Sequence, residues 1–264
     1  MAQTVAPVHL NSSTVEAFEA YIHAAETGIE ESLQGSGPFL WSDSSSERTQ
    51  QVRQGKIRAE RWSGKEPVKI QEGLIHDWIG AVFISATTLK DTLTLVQDYN
   101  NHKNIYKPDV IDSKLVGQQD NDFQIYLRVL KKKIITVVLD TDHDVHYSPV
   151  DSVRWFCRSL TTRISEVEDA GKSSEKVLPA NSGHGFLWRL ASYWRFQERD
   201  GGVYVECRAL SLSRDIPKGL GWIVEPIVGQ LPKQSLIHTL AATRKALLAR
   251  APRASLAPPC PSSS

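Results

Sequence analysis

The last third of the chain constrains its fold more than any other stretch. Two aromatic-rich segments that alternate with period two, residues 186–198 and 203–213, are joined at Asp200-Gly201-Gly202. Glycines that accept a positive φ between two alternating runs are a strong hairpin signal. Pairing Arg199 with Gly202 sets the register. It places Glu206 opposite Arg195 and Arg208 opposite Tyr193, with Trp188, Leu190, Trp194 and Phe196 on the other face against Val205, Cys207, Ala209 and Ser211. The hairpin then leads through Arg214-Asp215-Ile216-Pro217 and Gly219-Leu220-Gly221 into a helical pattern that reaches about Arg250.

Upstream segments extend this plan. Val15, Phe18, Ile22, Ala25, Ile29 and Leu33 recur at steps of three and four, one apolar stripe on an amphipathic helix, and Ser13 with Glu16 has the spacing of a capping box at its start. A single stripe of this length predicts a helix docked on the main domain; a homodimer built on it is the competing expectation. Gly35 to Pro38 ends the helix, and residues 42–46 read as loop. A short strand is expected at 57–62 and a long extended run at 68–84, in which Leu74, His76, Trp78, Gly80, Val82 and Ile84 share a face. Gly73 and Gly80 mark a bulge or a close backbone approach. Residues 87–100 change to helical period, capped by Thr87 or Thr88. Tyr99, His102 and Tyr106 follow in a polar connection. Strands are expected at 110–116, 123–131, 134–139 and 154–168, with turn chemistry around 140–149. In the C-terminal helix, Pro226 and Pro232 each remove an amide donor, which predicts an interruption between them. Leu236, Leu240 and Leu247 share one side after it. Residues 1–11 read as a loose leader. The proline-rich 251–264 reads as a disordered tail.

Bulk properties exclude several classes. With 41% hydrophobic residues the chain of 264 can build a substantial core. A balance of 31 basic against 30 acidic residues gives no general pull toward nucleic acid or an anionic membrane. Lys131-Lys132-Lys133 is too short a basic run for nucleic-acid binding and reads as a solvated hairpin end. No stretch approaches the roughly 18 apolar residues that span a bilayer, and no secretory signal is visible at the start. The compartment stays open between cytoplasmic and exported. Cys157, Cys207 and Cys260 lack zinc spacing and read as free thiols rather than a disulfide framework, with a Cys157–Cys207 bridge as the alternative for an exported protein.

A twisted sheet closed by a terminal helix suggests a hollow for an apolar small molecule. The order of elements, with Gly73-Leu74-Ile75-His76-Asp77-Trp78, Gly185-Phe186-Leu187-Trp188-Arg189-Leu190, Tyr193-Trp194-Arg195-Phe196, Gly202-Val203-Tyr204-Val205-Glu206-Cys207 and Ser211-Leu212-Ser213-Arg214-Asp215-Ile216-Pro217, resembles the START and pollen-allergen-like superfamily, also called SRPBCC. The likeness covers roughly residues 68–250 and is nearest to bacterial START-like proteins without an assigned activity. It implies an α+β helix-grip fold: a curved antiparallel sheet wrapped around a long C-terminal helix, here with an extra N-terminal helix. Residues 1–54 would be the extension, 55–250 the helix-grip domain and 251–264 the tail. It also implies a cavity that takes lipids, sterols, polyketides or other hydrophobic molecules, in a superfamily that includes cyclases and hydrolases, so fold alone does not choose between binding and catalysis.

The residues expected to line the hollow are Trp78, Tyr99, Tyr126, Trp188, Tyr193, Trp194, Arg195, Glu206 and Arg208, with Trp222, Ile223 and Ile227 from the closing helix. Arg195, Glu206, Arg208 and Tyr193 read either as a buried set that grips a ligand head group or as a polar ladder outside the sheet, and burial decides between them. Arg158 and Arg163, five apart, are expected on opposite faces. Asp140, Asp142, His143, Asp144 and His146 mix carboxylates and imidazoles, but their spacing favours a solvated turn over a metal site. No cofactor motif is present, and no nucleophile stands in a catalytic elbow. The expected function is carriage of a hydrophobic ligand. An enzyme of cyclase or hydrolase type, using His76, Glu206 or Tyr193, and an interaction module are the alternatives. An ionisable residue deep in the hollow without a salt-bridge partner would favour the enzyme; a filled interior would favour the module.

Overall fold

The computed structural model describes residues 7–35, 37–62, 64, 67–132, 136–215 and 221–250, with only the backbone given for 221–230. The framework is a ten-stranded antiparallel sheet. Its strands are β2 (Arg58–Arg61), β3 (Val68–Ile70), β4 (Gly73–Ser85), β5 (Val110–Gln119), β6 (Asp122–Lys132), β7 (Thr136–Pro149), β8 (Arg154–Glu168), β9 (Lys176–Val177), β11 (Arg189–Arg199) and β12 (Gly202–Arg214). The spatial order is β2-β4-β12-β11-β8-β7-β6-β5, with β3 on β4 and β9 on β8. A separate two-strand ladder joins β1 (Val8–His9) to β10 (Ser182–Gly183), so part of the expected leader is structured. The five helices of the described residues are α1 (Ser12–Gln34), α2 (Ser46–Arg53), α3 (Leu89–Val96), α4 (His102–Ile105) and α5 (Gly221–Arg250).

The hairpin register is the expected one: Arg199 faces Gly202, Arg195 faces Glu206 and Tyr193 faces Arg208. Inward residues of β4, β8, β11 and β12 face α5, which packs close to the sheet at Gly80. A β-carbon there would lie 2.9 Å from Leu240 and 3.1 Å from Leu236. Leu236, Leu240 and Leu247 are buried in that contact. α5 runs unbroken past Pro226 and Pro232, so the expected interruption is not present. A proline removes one amide donor, and the remaining hydrogen bonds carry the helix on. Among the described residues no helix is long and apolar enough to cross a membrane.

The opposite, convex face is covered too. α1 lays Phe18, Ile22, Ala25 and Ile29 on Ile75, Ala191, Tyr193, Leu210 and Leu212. Full burial of each large apolar side chain contributes about 1.5–3 kcal/mol. The helix therefore docks on its own sheet, and its N-cap is Asn11, whose Oδ1 accepts from the Ser13 amide at 3.0 Å, not Ser13. A 3-10 turn at Trp41–Ser44 and then α2 follow where a loop was expected. α2 escapes a periodicity reading because Val52 is its single buried residue. With helices on both sides, β12 is buried along nearly its whole length.

Three local expectations change. The run 68–84 is two strands, broken where Glu72 takes a φ of 54°. Residues 140–149 are not a turn: β7 continues to Pro149, with Asp140, Asp142, Asp144 and His146 facing outward between inward Leu139, Thr141, His143, Val145 and Tyr147. Arg158 and Arg163 both face outward, bound to Glu26 and Asp142 at 2.6 Å each. A register shift beside Asp142 and His143 inserts one extra residue in β8 and resets its alternation between the two arginines.

Candidate functional site

A cavity of about 350 Å³ lies between the concave face of the sheet and α5. Its walls are mainly apolar: Ile125, Leu127, Val145, Leu190, Phe196 and Leu236 are representative. The inward positions of β11 and β12 supply small residues, Ser192, Cys207, Ala209, Ser211 and Ser213, opposite larger ones on β6 and β7. Small residues along the middle of a curved sheet leave room that side chains do not fill. Cys157 and Cys207 are buried free thiols in the same wall, and burial pushes both thiols up from their ordinary value. They are inert as nucleophiles at neutral pH.

Polar groups enter the cavity at three places. Tyr99 and Tyr147 share a hydrogen bond of 3.0 Å between their hydroxyls, and Tyr106 contacts Thr243 of α5 at 3.2 Å. His143 bonds Thr141 through Nε2 at 2.9 Å and lies beside Ser159. His76 bonds Ser213 through Nε2 at 3.0 Å, and its buried Nδ1 has no hydrogen-bond partner among the described residues. At the rim, Asp109 holds Lys131 of β6 and His238 of α5, the latter at 2.8 Å. Burial works to raise the Asp109 carboxyl, but hydrogen bonds from these two partners outweigh it and keep it below its usual value. Asp109 thus ties the closing helix to the sheet. Lys131 is this partner and not a solvated hairpin end.

His76, His102 and His143 all line the cavity, and none has a carboxylate partner among the described residues. Burial lowers each to about 4; Arg61 adds to this at His76, and His102 at His143. All three are neutral at pH 7, donors or acceptors rather than charges. Their folded pKa lies below the ordinary 6.5, so the unfolded chain takes up protons first as pH falls. Stability is full above about pH 6.5 and declines between 6.5 and about 4. At about 1.4 kcal/mol per pKa unit, each histidine contributes on the order of a few kcal/mol to that decline. Urea unfolding at pH 7.5 and pH 5 is expected to show the loss, and His143→Phe is expected to reduce it by about a third, leaving the part carried by His76 and His102.

The sequence-expected ligand residues divide by face. Tyr99 and Trp194 line the cavity. Trp78 points inward but packs in the core beside α5, under Arg61 and Lys233. Tyr126 lies on the outer face, its hydroxyl on Asp140 at 2.7 Å. Trp188 stands in a bend before β11, so alternation does not carry to it; it joins the core under α1 instead of sharing the face of Trp194. Tyr193, Arg195, Glu206 and Arg208 are convex-face residues, buried by α1 and by residues 38–44 rather than facing α5. The side chains of Trp222, Ile223 and Ile227 lie outside the described residues.

Sequence reasoning did not place His143, Ser192, Lys131 or Asp109 at the hollow, and it put Ser211 on the inner hairpin face without naming it a ligand residue. The signal for His143 was present, because Val137, Leu139, Thr141, His143, Val145 and Tyr147 alternate strictly across the acidic cluster. Among the described residues no group of three or more His, Cys, Asp or Glu is placed to hold a metal ion.

No family model matches the sequence, and no curated protein matches it. Several solved structures are similar in fold. A STAR-related lipid transfer protein from Xanthomonas axonopodis aligns over 70% of this chain and 98% of its own, at 18% identity and a TM-score of 0.45. The Zhui aromatase/cyclase from Streptomyces sp. R1128 aligns over 69% and 98%, at 9% identity and a TM-score of 0.47. Human STARD10 aligns over 81% and 84%, at 9% identity and a TM-score of 0.42. Identities this low concern fold and not activity. The antiparallel sheet with the C-terminal helix across its concave face is itself the expected α+β helix-grip arrangement.

Proposed function

We propose that the protein binds a small, largely apolar molecule carrying at least one hydrogen-bonding group, in the cavity between the sheet and α5. The observation that supports this is the unfilled space itself, apolar around most of its wall with neutral imidazoles and hydroxyls at separate places. Apolar burial would supply most of the affinity, and the polar groups would fix orientation. The solved structures named for lipid transfer are consistent with this reading.

A second reading, catalysis in the same cavity, has one observation in its favour. Among the described residues, His76, His102 and His143 are ionisable groups inside the cavity without ion-pair partners. Their depression to about 4 argues for binding over general-base work, which is most effective with a pKa near the working pH. Native mass spectrometry of the purified chain, followed by extraction and identification of what co-purifies, tests the binding reading. An adduct released by solvent is expected. A ligand-free spectrum, with no thermal shift across a panel of lipids and aromatic molecules, would count against it. Chemical conversion of a bound molecule that stops in His76→Gln would favour catalysis.

A further inference from the structure

The convex face carries a second hollow, of about 470 Å³, that shares no lining residue with the first. It lies between α1, residues 38–44 and the outward side of β4, β11 and β12. Its apolar walls include Ile29, Leu40, Trp41, Trp62 and Ile79. The space follows from the sequence of α1. Where the helix elsewhere lays Phe18 and Ile22 on the sheet, it presents Ala24, Ala25 and Gly28 here. Gly28 is a poor helix residue, and nothing in the packing calls for it: a β-carbon at this position would meet no atom within 4 Å.

The charges around the hollow are unevenly satisfied. Glu206 accepts the amides of Trp41 and Ser42 at 2.7 and 2.8 Å. Arg208 is bound twice by Asp77, and Tyr193 donates to Glu26 at 2.8 Å. Arg195 differs. Its guanidinium donates from Nη2 to Ser32 Oγ at 2.5 Å, and among the described residues it has no ion-pair contact, Glu206 across the strand pair acting on it only through its charge. Its aromatic neighbour, Phe39, is 5.8 Å from the guanidinium carbon and offers a ring face, not an acceptor. Ser32 takes one of the two Nη2 protons, so among the described residues the other, together with Nε–H or Nη1–H on the same edge of this half-buried guanidinium, is left to receive a planar anion in bidentate fashion.

We propose that this hollow is a second binding site, for an apolar monocarboxylic acid whose carboxylate pairs with Arg195 and whose alkyl or aromatic body lies along α1 between Trp41 and Trp62. It is independent of the concave cavity and stands whether or not that cavity is occupied.

The indole N–H resonances of the whole chain separate the two sites, because Trp41 and Trp62 flank the convex hollow while Trp194 lines the concave one. Dodecanoate and 2-naphthoate are titrated against the wild type, Arg195→Met, Arg195→Lys and Gly28→Phe, with dodecanol as the uncharged control. The expected result is that at least one acid moves the Trp41 and Trp62 signals saturably. Arg195→Met weakens that event at least tenfold, Arg195→Lys recovers part of it, and Gly28→Phe removes it while Trp194 responds as in the wild type. Dodecanol is insensitive to Arg195. The proposal is overturned if neither acid moves Trp41 and Trp62, or if their response survives Arg195→Met undiminished. If Gly28→Phe fails to fold, the arginine pair decides alone.

Discussion

Asp77→Ala is expected to destabilise the protein by about 3–5 kcal/mol, the cost of leaving a buried charge without its partner. The Asp77 and Arg208 side chains are only 3% and 9% exposed, and they meet in two hydrogen bonds of 2.6 and 3.0 Å. Tyr21 of α1 adds a third at 3.0 Å, and Arg208 stacks over Trp62 at 4.1 Å. Removing the carboxylate strands the guanidinium between the sheet and α1 and frees the tyrosine hydroxyl as well. For a chain of this size the loss corresponds to roughly 6–20 °C in melting temperature. The control is the double variant Asp77→Leu/Arg208→Met, which removes both charges and is expected to recover most of that loss. If the single variant melts like the wild type, the pair is solvated and α1 is not docked over it.

These residues also show what the sequence could and could not disclose. The Arg195–Glu206 and Tyr193–Arg208 pairings were legible, since two well-patterned strands around Asp-Gly-Gly admit few registers. Which face of the sheet met the hollow was less so. A sheet covered on both sides buries both sets of alternating residues, so charge at positions 195, 206 and 208 signals neither solvent nor the concave cavity. The deciding fact was where α1 docks, a contact between parts of the chain about 170 residues apart, as in Tyr193 to Glu26. No local pattern encodes that.

The interior of β7 failed for a different reason. Its outward residues are acidic and its inward ones include Thr141 and His143, so composition suggested a turn where periodicity described a strand. The carboxylates are outward because basic partners await them: Arg128 binds Asp140 in bidentate fashion at 2.7 and 2.9 Å, and Arg163 takes Asp142. Those partners come from β6 and β8 and become visible only once the strands are paired. The bulge that aligns Arg163 with Arg158 is likewise a property of the pairing.

Ala209→Phe is expected to abolish binding in the concave cavity, with at least about a 100-fold loss of affinity. Ala209 points inward from β12 between Cys207 and Ser211, and faces Trp78 on one side and Ser192 on the other. A phenyl ring there projects into the space that the small residues of β11 and β12 leave open. A 100-fold loss is about 2.7 kcal/mol, comparable with burying one large apolar side chain, and the ring takes that burial from the ligand. The same ring dropped into a close-packed core would cost about 1–3 kcal/mol through overpacking. The sign of the stability change therefore reports on the cavity separately from any ligand. An unchanged or raised melting temperature, together with loss of the co-purifying adduct, is the expected pair of results. A marked fall in stability with binding retained would mean that the space at Ala209 is already filled and that the ligand lies elsewhere.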